Sequence, residues 1–423
     1  MDHCKIFQNV TIIDGLRDKP LLDSMLVIEG GTIVYAGNKD QGILERYSHG
    51  KIVDLRGMWI MPGMIDTHVH LSLDGSPDYF RLMIEETPQL AAIRAVRRVR
   101  KILESGFTTI RTMGDKGCID IAVKQAVEEG EIPGPRILTS GQALTITGGH
   151  GDMFPNHVKI EGLARIVDGP DEARKAAREQ LKLGADNIKL MATGGGMSPG
   201  PGTVAQLTVE EMRAAVEEAS KYGKITGAHA IGAEGIKNAL EAGVRTIEHG
   251  SFLDDTGIRL LLEKEAFLVP TLSAFKTLKF GEDGGVPLKT IRKVEHFQTV
   301  HMKNLKRAIK AGVKVVVGTD AGTPFNYHGE SAYELECLVA NGLSEMQAIR
   351  SATSIAAEAL NLSNVGVIQK GCVADLVVLE ANPLEDIKTL QQPEKIVAVL
   401  KDGEIVAGKL PGGRDGIDVR SGD

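Results

Sequence analysis

The chain lacks any run of about 18 apolar residues, and its opening, Met1-Asp-His-Cys-Lys-Ile-Phe7, carries no basic stretch followed by a long apolar one. Neither a membrane span nor a secretory leader is expected, and the cytoplasm is the expected location. Cysteine is scarce: Cys4, Cys118, Cys337 and Cys372 are scattered without a C-x-x-C pair. That pattern fits reduced thiols and argues against both a disulfide framework and a thiolate zinc site, which leaves histidine and carboxylate as metal donors. A basic excess is missing too. The 49 lysines and arginines face 56 acids, and a net charge of −7 with mixed signs offers no footprint for nucleic acid. The densest basic run, Arg94 to Lys101, is interleaved with apolar residues at helical spacing (Ile93, Val96, Val99, Ile102, Leu103) and reads as a solvated helix face.

What is present is a globular balance, 42% hydrophobic and 25% charged over 423 residues, enough for about two domains. Residues up to about 60 read as short strands broken by turns: Lys5 to Ile13, Ser24 to Glu29, Thr32 to Ala36 and Lys51 to Asp54, with Gly30-Gly31 marking a hairpin. The end of the chain reads the same way, with strands at Ala374 to Leu379, Ile396 to Leu400 and Glu404 to Ala407 and a hairpin turn at Lys401-Asp-Gly-Glu404. Two β-rich ends predict a small β-sandwich domain made of residues 1–60 and 361–423. Residues 61–360 alternate strand and helix instead.

Strand patterns in that middle run from Ile60 to Val69, Thr108 to Met113, Arg136 to Ser140, Asn187 to Ala192, Ile225 to His229, Thr246 to His249, Phe267 to Leu272 and Lys314 to Thr319. Helical patterns follow, among them Gln89 to Ser105, Asp171 to Leu183, Thr208 to Tyr222, Gly235 to Ala242 and Ser344 to Leu360, many opening on Ser, Thr or Asp caps. Eight such units predict an α/β fold, a closed parallel (β/α)8 barrel of the TIM type. An open doubly wound sheet is the alternative, but it would spread the chain's candidate ligands along an edge, whereas a barrel points them at one centre.

Those candidates are His68, His70, Lys189, His229, His249 and Asp320, each near the C-terminal end of a strand pattern, the face on which such barrels place their chemistry. His68 and His70 stand at i and i+2 and so share a face. Lys189 is a charged residue in the otherwise apolar strand Asn187-Ile-Lys-Leu-Met. Burial lowers an amine's pKa and frees it as a nucleophile, and addition of carbon dioxide would make an anionic carbamate able to bridge two cations. A lysine snorkelling to the rim would be the plainer reading if His229 and His249 did not end the next two strands. Asp320 closes Val315-Val-Val-Gly-Thr-Asp, where a carboxylate can touch both a metal and its water. Singly, a core histidine or a helix-capping aspartate explains each. Six coincidences at matching strand ends do not arise by chance.

With Pro62-Gly-Met-Ile-Asp-Thr-His-Val-His70, Lys189, His229, His249 and Gly318-Thr-Asp-Ala-Gly322, the chain resembles the amidohydrolase superfamily from end to end. Thr147-Gly-Gly-His-Gly-Asp152, Ile188-Lys-Leu-Met-Ala-Thr-Gly-Gly195, Ala228-His-Ala230 and Ile247-Glu-His-Gly250 make it most similar to the imidazolonepropionase-related branch with its prolidase-like dipeptidases and arginine carboxypeptidases. The resemblance implies a binuclear hydrolase of C–N bonds with two divalent cations, zinc being the expected metal, although such ligands also accept manganese, iron or cobalt. His68, His70 and Asp320 would hold one ion, His229 and His249 the other, and carboxylated Lys189 would bridge them. A hydroxide shared by the cations would attack an amide carbonyl while Asp320 carries its proton to the departing nitrogen. His150, after two glycines, is the candidate for stabilising the oxyanion or orienting the substrate.

One departure bears on the substrate, expected to be a small molecule. Where prolidase-like members carry a tyrosine that meets the substrate carboxylate, this chain has Ile231, which suits a less polar group. A dipeptide or N-acyl amino acid is the first expectation, and a cyclic or non-peptide amide, ester or phosphoester the alternative. The discriminator is a cation facing the leaving group, for which Arg111 is a candidate, though a structural salt bridge is its favoured role. The glycine-rich segments Gly194 to Thr203 and Ser273 to Pro287 read as loops that set specificity or gate access. A non-catalytic relative would have lost ligands, and a dinucleotide-binding reading fails for want of G-x-G-x-x-G. Asp375 falls on a structural turn, and enzymes of this size often form homo-oligomers.

Overall fold

The computed structural model describes residues 4–411 apart from 153, 156, 199 and 281–283, so both glycine-rich segments include positions outside the described residues. Strands from the two ends of the chain pair in one eight-stranded sheet. Along its path run Glu404–Gly408, Ile396–Lys401, Leu376–Leu379, Trp59–Pro62, Cys4–Ile12, Leu21–Glu29 and Thr32–Asn38, and Lys51–Asp54 pairs with Cys4–Ile12 off that path. The Gly30-Gly31 turn joins Glu29 to Thr32 as a two-residue hairpin, both glycines at positive φ (56° and 79°), as a turn of this handedness requires. Apolar side chains are buried in separate clusters, Phe7, Ile12, Leu26 and Leu376 in one, Ile6, Met25 and Val27 in another. The alternation Ile6/Phe7 and Met25/Leu26 puts these clusters on opposite faces of the sheet.

The expected single strand Ile60 to Val69 is two strands. Trp59–Pro62 belongs to the terminal sheet and Met64–Val69 begins the parallel part. Gly63 sits between them, and a Cβ there would lie 2.1 Å from Thr108 Oγ1, so glycine is required at this junction.

The middle of the chain forms parallel sheets flanked by helices. Met64–Val69, Phe107–Thr112 and Arg136–Leu138 make one; Ala164–Ile166, Ala143–Thr145, Asn187–Met191, Ile225–Ala230, Thr246–His249 and Phe267–Val269 make the other. The short strands at 143–145 and 164–166 carry too few alternating residues to stand out in the sequence. Regular pairing is thus three plus six strands and not one ring of eight. The predicted last strand, Lys314 to Thr319, forms only isolated bridges, yet it reaches both neighbours. Val316 N–H donates to Leu268 O (3.0 Å), Thr67 N–H to Val317 O (3.0 Å) and Asp320 N–H to His68 O (2.8 Å). On the far side, Asn187 N–H donates to Thr139 O (3.0 Å).

Some helices start on side-chain caps, while Pro170–Leu183 and Ala233–Ala242 start after Gly169 and Gly232, which have no side-chain cap, and so ahead of the predicted Asp171 and Gly235. Thr87 caps Pro88–Glu104, and Thr208 with Glu211 forms a capping box on Val209–Ser220. The pattern Ser344 to Leu360 is broken into Glu345–Ser351 and Ser354–Ala359 by the non-helical Thr353 (φ −132°, ψ −98°). The segment Ser273 to Pro287, expected as loop, is partly helical at Leu272–Phe275 and Lys276–Phe280. The basic face is not wholly solvated either: Arg98 is buried and donates to Leu71 O at 2.5 Å, a backbone acceptor that the sequence pattern cannot reveal. Asp375 bonds Asp402 N–H (2.8 Å) and lies 3.5 Å from Arg136, on the terminal sheet. No helix among the described residues is long and apolar enough to cross a membrane.

Candidate metal centre and active site

All six predicted donors line one cavity at the C-terminal ends of the parallel strands, together with His150 and Ile231. His68, His70 and Asp320 bring three ligand atoms within 4.8 Å of one another. Asp320 Oδ1 is 3.3 Å from His68 Nε2 and 3.1 Å from His70 Nε2. The ring of His249 lies 5.3 Å from that of His68 and 4.6 Å from that of His229.

Each imidazole is tied down through its other nitrogen. His68 Nδ1 meets Glu248 Oε2 at 2.8 Å and His70 Nδ1 meets Gly114 O at 2.7 Å. His229 Nε2 meets Gly194 O at 2.8 Å, and His249 Nδ1 meets Thr271 Oγ1 at 2.7 Å. A ring whose N–H is donated to an oxygen keeps the remaining nitrogen as a lone-pair donor, which is the arrangement metal-binding histidines use. The residues present therefore fit a divalent cation at His68, His70 and Asp320, and His229 and His249 each keep a ring nitrogen not engaged by these outer oxygens.

The backbone is bent to achieve this. Strand alternation puts Glu248 and His249 on opposite faces, yet Glu248 bonds His68 while the His249 ring also stands beside it. His249 leaves the strand conformation (φ +69°), and Asp320 does likewise (φ +60°). Non-glycine residues in this region carry strain of the kind that gathers at functional sites. Asp66 holds the two halves in register, accepting from His68 N–H (3.1 Å), Thr319 N–H (3.0 Å) and Thr319 Oγ1 (2.6 Å).

Below the ligands is a buried ion pair. Arg111, fully enclosed, donates to Thr67 O (2.6 Å), Thr246 Oγ1 (3.0 Å) and Glu248 Oε1 (2.8 Å). It is a structural cation and does not line the cavity. Burial alone would raise the Glu248 carboxyl, but Arg111 and then His68 outweigh it and hold it well below the usual carboxylate range. Asp320 is likewise held low, its burial outweighed by His68 and His70. Burial pulls the Lys189 amine down to about 8, against the opposing pull of Glu248 and Asp320. The lowered value raises the share of uncharged amine over that of an ordinary lysine, and the uncharged form is the one that can add carbon dioxide.

His150 stacks on His229 with ring centres 4.1 Å apart, its Nδ1 2.5 Å from Ser198 Oγ and its backbone N–H on Gln206 Oε1 (2.9 Å). Gly195 allows that approach, since a Cβ there would fall 2.5 Å from His150 Cε1. Burial and the charge of Lys189 lower His150 to about 4, so it is neutral at pH 7. Ile231 is buried and anchored through its N–H to Thr193 Oγ1 (2.9 Å). Much of the remaining wall is apolar, with Met113, Leu163, Met191, Phe275 and Phe297, interrupted by Tyr79, Ser251, Thr271, His301 and Thr323, and Lys189 is the sole lysine or arginine among the described lining residues.

A profile of the Amidohydrolase family matches residues 59–406. The chain belongs to that family. An ochratoxinase of Aspergillus niger is 33% identical over 414 residues, covering 92% of this chain and 84% of that enzyme. A Xaa-Pro dipeptidase crystallised with methionine in its active site superposes with a TM-score of 0.84 at 33% identity, over 95% of this chain and 99% of its own. A prolidase complexed with N-methylphosphonate-L-proline gives 0.87 at 36%, over 96% and 100%. This amidohydrolase is accordingly a hydrolytic enzyme acting on amide bonds.

Neither Glu248 nor Thr271 was a predicted participant in this amidohydrolase site. Glu248 had a signal in the sequence, a carboxylate two residues after Thr246 on a buried strand, but its partner Arg111 lies 137 positions away.

Proposed function

We propose that the enzyme cleaves the amide bond of a small molecule with bulky apolar substituents, an N-acyl amino acid or dipeptide with an apolar side chain, using two divalent cations, zinc by expectation. His68, His70 and Asp320 hold one ion, His229 and His249 the other, with carboxylated Lys189 between them. The observation that carries this reading is the set of four imidazoles, each fixed by an outer oxygen so that its second nitrogen is left for an ion. When bound, divalent cations lower the pKa of water and polarise a carbonyl.

The side chains do the rest. Asp320 takes the proton of the attacking water and returns it to the departing nitrogen. Neutral His150 hydrogen-bonds the carbonyl oxygen as negative charge develops there. Ile231 packs against the apolar substituent, and the apolar wall keeps bulk water from the reacting carbonyl. We read the parallel strands as a (β/α)8 barrel closed through residues 314–320, spanning 61–360, with 1–60 and 361–423 forming the small β domain; the backbone bonds on both sides of residues 314–320 support that closure.

Ile231 and the lack of a second lysine or arginine among the described lining residues favour a second reading, a cyclic or non-peptide amide, ester or phosphoester on the same donors. Hydrolysis of N-acyl-phenylalanine and N-acyl-leucine beside matched carboxylate-free amides and esters separates the two. Cleavage of the acyl amino acids, abolished by Asp320→Asn, supports the first. Cleavage confined to carboxylate-free substrates supports the second, and cleavage of neither set contradicts both.

A further inference from the structure

The long helix Leu288–Lys310 forms one wall of the cavity through Val294, Phe297 and His301, spaced i, i+3 and i+7 on a single face. It is clamped there by Lys293, whose Nζ donates to Gly195 O (3.2 Å) and Ser198 O (2.7 Å) on the loop after the Lys189 strand. His301 is 2% exposed and stands edge-on to Phe275 with ring centres 5.4 Å apart. Its Nδ1 lies 3.0 Å from Ser251 Oγ, and its Nε2 is buried with no hydrogen-bond partner among the described residues. An unpaired polar atom in an apolar wall costs stability and asks for an explanation.

We propose that His301, oriented by Ser251, is a substrate-recognition residue that presents a neutral N–H donor to an acceptor oxygen carried on the substrate's apolar portion. This rests on the amide-hydrolase reading above and names what that pocket selects. Among the described residues His301 Nδ1 is the one hydrogen-bond partner of the Ser251 hydroxyl; we assign the hydroxyl as donor, which places the ring proton on Nε2, the unpaired atom. Burial lowers the imidazole to about 4, which keeps the donor uncharged at neutral pH. A neutral donor beside Phe275, in a wall that Phe297 also lines, suits a carbonyl, ether or carboxylate oxygen next to an aromatic or branched group. It takes the place that a lysine or arginine would fill in a more polar pocket. A donor left unpaired in an apolar site penalises analogues that lack the oxygen, and this is how a small number of polar atoms sets specificity.

The test compares wild type with His301→Phe on substrates matched in size that carry or lack the oxygen. One pair varies the amine half, N-acyl-phenylalanine against N-acyl-phenethylamine; the other varies the acyl half, a methoxybenzoyl against an ethylbenzoyl amide. In at least one pair, His301→Phe should lose about 10–100-fold in kcat/KM on the oxygen-bearing member, mainly through KM, and keep its rate on the other. Thermal stability should be unchanged or raised, because the unpaired nitrogen is gone. Ser251→Ala, which frees the tautomer but keeps the ring, should show a smaller loss of the same sense. Equal losses on both members of every pair, or no change on any, would overturn the proposal. If wild type hydrolyses none of these, the amide reading fails separately. Calorimetric binding of the four compounds then decides the subsite by the same wild-type-to-variant comparison, with no selective weakening counting against it.

Discussion

Glu248 shows how one side chain sets the chemistry of another. Its Oε1 is occupied by Arg111 and its Oε2 receives His68 Nδ1–H, so the carboxylate fixes which nitrogen of His68 keeps a lone pair. Glu248→Gln is nearly isosteric, and its carbonyl can still accept from Arg111. Its amide then presents a donor to His68 Nδ1, which favours the tautomer with hydrogen on Nε2, facing Asp320. Metal affinity should fall about 10–100-fold, measured by competition with a chelator; unchanged affinity would show that Glu248 does not set the tautomer. The six donors are legible in the sequence because each lies in or at the end of a strand-like run and is a residue type that chemistry recognises. Glu248, Thr271, Ser251 and His301 are not, because each acts through a partner distant in sequence: Glu248 with His68 is 180 positions apart, His301 with Ser251 50.

Among the elements, the turn Leu272–Phe275 places Thr271 against His249 and Phe275 against His301, and it hangs on one acid. Glu334, at the start of the helix Tyr333–Ala340, accepts from Leu272 N–H (2.8 Å), Ser273 N–H (2.6 Å) and Ser273 Oγ (2.7 Å). Burial nonetheless raises its pKa to about 7, above the 4.5 of an ordinary glutamate. The folded state therefore holds this proton more tightly than the unfolded chain. The stability so gained is full below about pH 4.5 and is lost as pH rises through about 7. Glu334→Gln removes that titration, so wild type minus variant, in denaturant midpoints at fixed metal, should shrink from pH 4.5 to 7. A difference that stays flat or widens would contradict the assignment. This turn is also where the sequence misleads. Phe267 to Leu272 reads as one apolar strand, but the ladder ends at Val269, and Pro270 and Thr271 (φ +50°) turn the chain into the site.

Over the whole molecule, the two β-rich ends and the alternating middle are readable from hydrophobic period alone, since periods of 2 and 3.6 report different surroundings. Pairing is less so. Hydrophobic period in Ile60 to Val69 does not show that one apolar run is divided between two sheets, because both halves are buried and neither alternates; the Pro62-Gly63 pair is the signal that marks the break. The parallel strands come together from across residues 64–320, so the donors converge only in the folded chain, and bound ions should tie folding to metal occupancy. The most direct measurement is metal content per chain, by elemental analysis after reconstitution, for wild type and Lys189→Ala, with amide hydrolysis followed on the same samples. Two divalent ions per wild-type chain, with occupancy and hydrolysis both lost in Lys189→Ala, is the predicted result. Full hydrolysis by a chain that binds no metal, or a Lys189→Ala enzyme that keeps two ions and full activity, would contradict the bridged metal centre.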